Sequence, residues 1–179
     1  MNKKYIMTAL LFLVIVFAGI WVYWNKNRYN VDLNLTPEQK LEYEQKVSEM
    51  NKRIREIISR DKPDIDLFIE KARYQEYLGR YGDAIDTLLE SFKYYENTSV
   101  GWNNIAKLYD KVGDYKSAIL FYNKLINTFN LYRYYLEVAW DYYRLGEIEI
   151  AKEAYGRYAQ FEHNREEELY KLLFTNKSL

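Results

Sequence analysis

Apolar residues run unbroken near the start of the chain, give way to polar ones, and then return as stripes with a helical period. The first run, YIMTALLFLVIVFAGIWVYW at 5–24, holds no charge and only Thr8 as a clearly polar side chain. Twenty helical residues at about 1.5 Å each reach across a hydrocarbon core of roughly 30 Å, so the run predicts a single-pass transmembrane helix. Lys3 and Lys4 precede it in a short basic tail, 1–4, and Trp21, Tyr23, Trp24, Lys26 and Arg28 close it. Such cations and amphipathic rings suit a membrane interface. A cleavable leader ending at Val16-Phe17-Ala18 is the alternative, but the apolar run continues for six residues beyond that point. The basic flanks nearly tie. The short tail tips the orientation towards a signal anchor with the rest of the chain on the non-cytoplasmic side.

Residues 25–35, NKNRYNVDLNL, are polar and aperiodic and predict a linker clear of the headgroups. A leading helix is expected over 36–62. Thr36 is its N-cap, Pro37 its first residue, and Gln39 the partner in a capping box. Tyr43, Val47, Met50, Ile54 and Ile57 then alternate in steps of four and three, which makes one narrow apolar stripe. Two destinations fit that stripe. It packs on the segment that follows, favoured because sustained coiled coils need three or four heptads, or it pairs subunits as a short coiled coil. Pro63 ends this helix and opens the next.

From there the pattern recurs. Gly79, Gly113 and Gly146 stand 34 (113 − 79) and 33 (146 − 113) residues apart. Ala84, Ala118 and Ala151 each follow their glycine by five, and Leu88, Tyr122 and Tyr155 come four later. A helix that turns at glycine and returns antiparallel needs a small residue where the backbones cross and a large one beside it. Upstream, Trp102, Ile105, Ala106 and Tyr109 are matched by Tyr135, Val138, Ala139 and Tyr142. The whole set resembles the tetratricopeptide repeat, over units 65–98, 99–131 and 132–164 within 63–164. The second unit matches best, with Leu125 where a small residue is usual and Asn130 near the place of a proline. Ile148 replaces an aromatic in the third unit, and in the first Lys71 and Gln75 occupy sites that should be apolar. Asn164 and Glu167 then cap a last helix within 165–179 whose Leu169, Leu172 and Leu173 cover the end of the array. The expected fold is all-α: transmembrane helix, leading helix, about three helix pairs in a short α-solenoid, and a capping helix.

Composition narrows the function. The 179 residues carry 26 basic and 26 acidic side chains, so no charge footprint points to nucleic acid. Cysteine is absent, and His163 is the sole histidine. Thiolate sites, two-histidine metal sites and catalytic triads are therefore unavailable. The REEE run at 165–168 is read as a solvated face, and the glycines, spread one per unit, form no phosphate loop. No enzyme, metal or cofactor is expected. Twenty tyrosines against 7 glycines and 2 prolines suit helices whose seams are filled by large amphipathic rings.

The resemblance implies a curved stack whose concave face, lined by the first helix of each pair, holds an extended peptide or a partner helix. Projecting the non-core positions of those helices nominates Arg73 and Tyr77, then Asn103, Asn104 and Lys107, then Arg133, Trp140, Tyr143 and Arg144. Asparagine amides bond a peptide backbone, cations hold a carboxylate, and Trp beside Arg is the chemistry of an interface anchor. One subgroup of the family clamps the terminal carboxylate of chaperones. Asn104 fits that set, while Ile69 and Glu137 stand where it needs cations. The expected function is a membrane-anchored adaptor or scaffold, its partners a protein segment in the groove and the bilayer through 5–24. The alternative is a structural subunit, homo-oligomeric through the leading helix and the repeats.

Overall fold

The capping residues at 36–39 behave as the sequence requires. In the computed structural model, which describes residues 28–96, 98–161 and 166–175, Thr36 Oγ1 accepts from the Gln39 amide at 3.2 Å and Gln39 Oε1 accepts from the Thr36 amide at 3.0 Å. The helix so opened, α1 (Pro37–Ile58), is shorter than expected. Its last turn unwinds through Ser59, Arg60 and Asp61 ahead of the buried Pro63. Residues 1–24, including the expected transmembrane run, lie outside the described residues. Among those described, no helix is long and apolar enough to cross a membrane.

Three antiparallel pairs follow: α2 (Ile65–Tyr77) with α3 (Tyr81–Ser91), α4 (Ser99–Lys111) with α5 (Tyr115–Phe129), and α6 (Tyr135–Arg144) with α7 (Ile148–Phe161). A 3-10 turn, Tyr132–Tyr134, leads into α6, and α8 (Glu167–Phe174) closes the stack. Among the described residues there are eight α-helices and no strand. Gly79, Gly113 and Gly146 turn each pair with φ of +71°, +74° and +78°, a region costly for a side chain. Ala84, Ala118 and Ala151 are fully buried at the crossings, with Leu88, Tyr122 and Tyr155 buried beside them. These positions join one core that runs from Ala72 to Leu173.

The stripe of α1 lies inside the molecule. Val47, Met50 and Ile54 are buried; Met50 and Ile54 form a second cluster with Leu67 and Phe68, while Tyr43 meets Tyr74 and Tyr77 at ring distances of 6.1 and 5.4 Å. The coiled-coil destination is corrected accordingly, because those positions are covered within the same chain. Lys71 and Gln75 are buried despite their polarity. Gln75 Oε1 accepts a 2.8 Å hydrogen bond from Thr87 of α3, which gives its buried carbonyl oxygen a partner. Burial lowers the Lys71 pKa, against the pull of Glu90 and Asp83.

Two expectations need revision. Asn164 lies outside the described residues, and the cap of α8 is Glu166, whose carboxylate accepts from the Leu169 amide at 2.7 Å. Leu169 and Leu173 are buried and Leu172 half-buried, so the helix does cover the end of the array. More consequential is the linker. Residues 28–35 lie against the helix turns as a strap: the Val31 amide donates to Gly79 O at 2.8 Å, and Tyr29 Oη donates to Asp114 Oδ2 at 2.5 Å. The Tyr29 ring also stands edge-on to Tyr109 at 5.9 Å. An aperiodic segment satisfies its backbone by pairing wherever a turn offers unused groups. Burial, then the Asp114 carboxylate, pushes the Tyr29 phenol up to about 12, so it remains a donor throughout the neutral range. Gly79 is required twice over, since a Cβ there would also collide with the Val31 carbonyl.

Candidate partner-binding groove

The first helices of the three pairs set their exposed positions in register with the glycines. Six residues before each glycine stand Arg73, Lys107 and Trp140. Arg73 and Lys107 face a cavity of about 120 Å³ at the seam between the first and second pairs. Ala72, Leu88 and Leu108 make its apolar floor, and Asn104, Glu76 and Lys111 complete its rim. Glu76 ion-pairs with Lys111 across the seam. That hydrogen bond raises the Lys111 pKa, burial opposing it, and so holds its charge. Among the described residues no carboxylate ion-pairs with Arg73 or Lys107. The rim thus presents two cations outside any ion pair of the described residues, Lys107 also feeling the Glu137 charge, beside an amide that can both donate and accept.

The nine nominated residues do not form one site. Arg73, Asn104 and Lys107 converge on this cavity. Asn103 points to the next seam, where its Oδ1 accepts from Tyr134 Oη at 2.9 Å, and Arg133 stacks over that same tyrosine ring at 5.1 Å. Tyr77 is exposed on one side but packs its ring on Tyr43 and Tyr74, which joins α1 to α2. Trp140 and Tyr143 meet edge to face at 6.0 Å, both half-buried.

Arg144 has another job. Its guanidinium bonds Asp110 at 2.5 Å and Asp141 at 3.1 Å, and stacks between the rings of Tyr115 at 5.3 Å and Trp140 at 5.7 Å. Its charge is committed to carboxylates of its own chain, so it is corrected from a partner-binding cation to a seam residue. Lys111 and Glu76, by contrast, belong to the rim and were not nominated. The signal that could have found them is their 35-residue separation, repeated as 34 residues between Asp110 and Arg144, one acid and one cation at the period of the array. Near the second seam burial, then the Asp110 charge, raises the Glu137 pKa, opposed by Lys107 and Arg144. Among the described residues no group of three or more histidine or carboxylate side chains is placed to hold a metal ion.

No protein-family model matches the chain, and no curated protein sequence does. Solved structures overlay on it. One is described as a crystal structure of the MamA protein, with TM-score 0.55 and 16% identity over 76% of this chain and 69% of the other. A second crystal structure of MamA gives 0.59 and 14%, covering 80% and 81%. A MamA RS-1 ArsTM double mutant gives 0.55 and 14%, covering 78% and 83%. At such identities the likeness is one of fold, and the fold this chain shares with them is an all-helical, solenoid-like stack.

Proposed function

We propose that this chain is a non-catalytic adaptor that holds an acidic segment of a protein partner in its concave groove, and that residues 5–24 keep it at a membrane with the repeats on the non-cytoplasmic side. The observation that carries the reading is the pair of cations, Arg73 and Lys107, outside any described ion pair and beside Asn104 over an apolar floor. A carboxylate side chain entering there gains charge-assisted hydrogen bonds while its methylenes meet Ala72, Leu88 and Leu108. The Asn104 amide serves the segment's backbone. Since Trp140 continues the row begun by Arg73 and Lys107, the preferred segment is acidic first and apolar one repeat later. The structural-subunit reading loses its principal surface, because the α1 stripe is covered by α2.

Photocrosslinking from position 104 in native membranes tests the groove. A recurrent partner caught by the parent chain should disappear in the Arg73→Glu, Lys107→Glu double variant; equal capture by both refutes the acidic-segment reading. Membrane fractionation of the chain with and without residues 1–27 tests the anchor, which fails if both forms distribute alike.

A further inference from the structure

Five residues before each glycine, the second pair carries Leu108 and the third carries Asp141 (113 − 5, 146 − 5). The slot is interior in both, 4% exposed at Leu108 and 1% at Asp141. A carboxyl group therefore occupies a place that the neighbouring repeat fills with leucine. Asp141 Oδ1 accepts from Arg144 Nη1 at 3.1 Å, whereas Oδ2 is buried with no hydrogen-bond partner. The same Nη1 reaches Asp110 Oδ1 at 2.5 Å, so one guanidinium serves two carboxylates.

The groups that act on Asp141 directly are Asp110 from α4, Tyr122 from α5 and Arg144 from α6 itself, while Lys107 acts on Glu137, and Glu137 and Tyr134 act on Tyr122, one step further out. Two carboxylates, Asp110 and Asp141, thus share one guanidinium. A bare carboxylate oxygen without a partner is costly in the interior, and it is relieved when the group takes up a proton. Burial, then the Asp110 charge, pushes Asp141 up to about 8, and a side-chain hydrogen bond with Asp110 favours the protonated form. Adjacent carboxyl groups of this kind lose their protons stepwise, as a pair.

We propose that the seam between the second and third helix pairs is a proton-operated clasp, in which one proton held by Asp141 beside Asp110 and Arg144 locks the third pair onto the second and its loss loosens that pair. With the proton in place, Asp141 is a neutral donor and Arg144 neutralises Asp110. Without it, two anionic carboxylates compete for one guanidinium and Oδ2 is an orphaned buried acceptor. The folded chain keeps this proton from the ordinary carboxylate range, near pH 4, up to about 8, while the unfolded chain has released it. Folded protein then binds more protons than unfolded across that interval, so the stabilisation is complete at its acidic end and is lost as pH rises through it.

Thermal unfolding of the full chain from pH 5 to 9 tests this, alongside Asp141→Asn and Asp141→Leu, the latter copying Leu108. The parent should lose roughly 5 °C more than either variant over that range, and both variants should be the more stable proteins at pH 9. Parallel profiles overturn the proposal. If neither variant folds, a carbon-13 titration of the carboxyl groups in the parent chain decides: an Asp141 midpoint above about 6.5 supports the clasp, and one near 4 overturns it.

Discussion

At the first seam Glu76 meets Lys111 near solvent, 25% and 53% exposed, and the interior slot beside them holds Leu108. At the second seam the same register brings Asp110 to Arg144, and the interior slot holds Asp141. The strap adds to the contrast. It ties Gly79 of the first turn to Tyr109 and Asp114 of the second pair, but no described contact carries it to the third. One junction is therefore apolar within, bridged outside by the strap and an exposed ion pair; the other is ionic within. A repeat array need not be joined by one chemistry, and where its junctions differ, solution conditions act on them separately.

The comparison can be broken first at what the junctions share. Tyr122→Ala removes a buried ring at the centre of the core and should cost about 3–4 kcal/mol in urea unfolding. A smaller loss means that the core is not continuous across the pairs. Next, Gly79→Ala should cost about 2 kcal/mol, against about 1 for Gly113→Ala. Both strain a left-handed turn, but only the first also drives a Cβ into the Val31 carbonyl. Equal losses in paired melts mean that the strap contributes nothing. Third, Arg144→Met at pH 8 should cost about 2 kcal/mol, less than a fully buried pair because the guanidinium is 38% exposed. Repeating it at pH 5, where Asp141 carries its proton, should shrink that cost; a loss independent of pH contradicts the contrast between the seams. Smallest is Lys111→Met at the exposed seam, at about 0.5 kcal/mol and diminishing with salt.

Much of the fold was legible because its rules are local. Glycines at a fixed period demand turns, and an alanine five residues on marks where helices cross, so the helix pairs of the array were readable from spacing. The cap at Thr36 was equally plain. What escaped depends on groups far apart in sequence. Tyr29 and Asp114 are 85 residues distant, and nothing in NKNRYNVDLNL announces that its phenol will find that carboxylate. Gln75 looked misplaced until Thr87 supplied its partner. The same holds for the candidate groove: Arg73, Asn104 and Lys107, grouped by helical offset, line one cavity, yet offset alone could not say that Arg144 is already engaged by Asp110 and Asp141, or that Tyr77 packs on α1. Direction is a property of one helix. Availability is a property of its neighbours.

The strap also fixes where mechanical load is delivered. Tension on the chain ahead of residue 28 reaches Tyr29, and through it Asp114 at the start of α5, before it can reach α1. The stack is gripped at its middle pair instead of by one end, so a pull from that side bears on the hydrogen bonds of the strap before it can peel the helices apart in order.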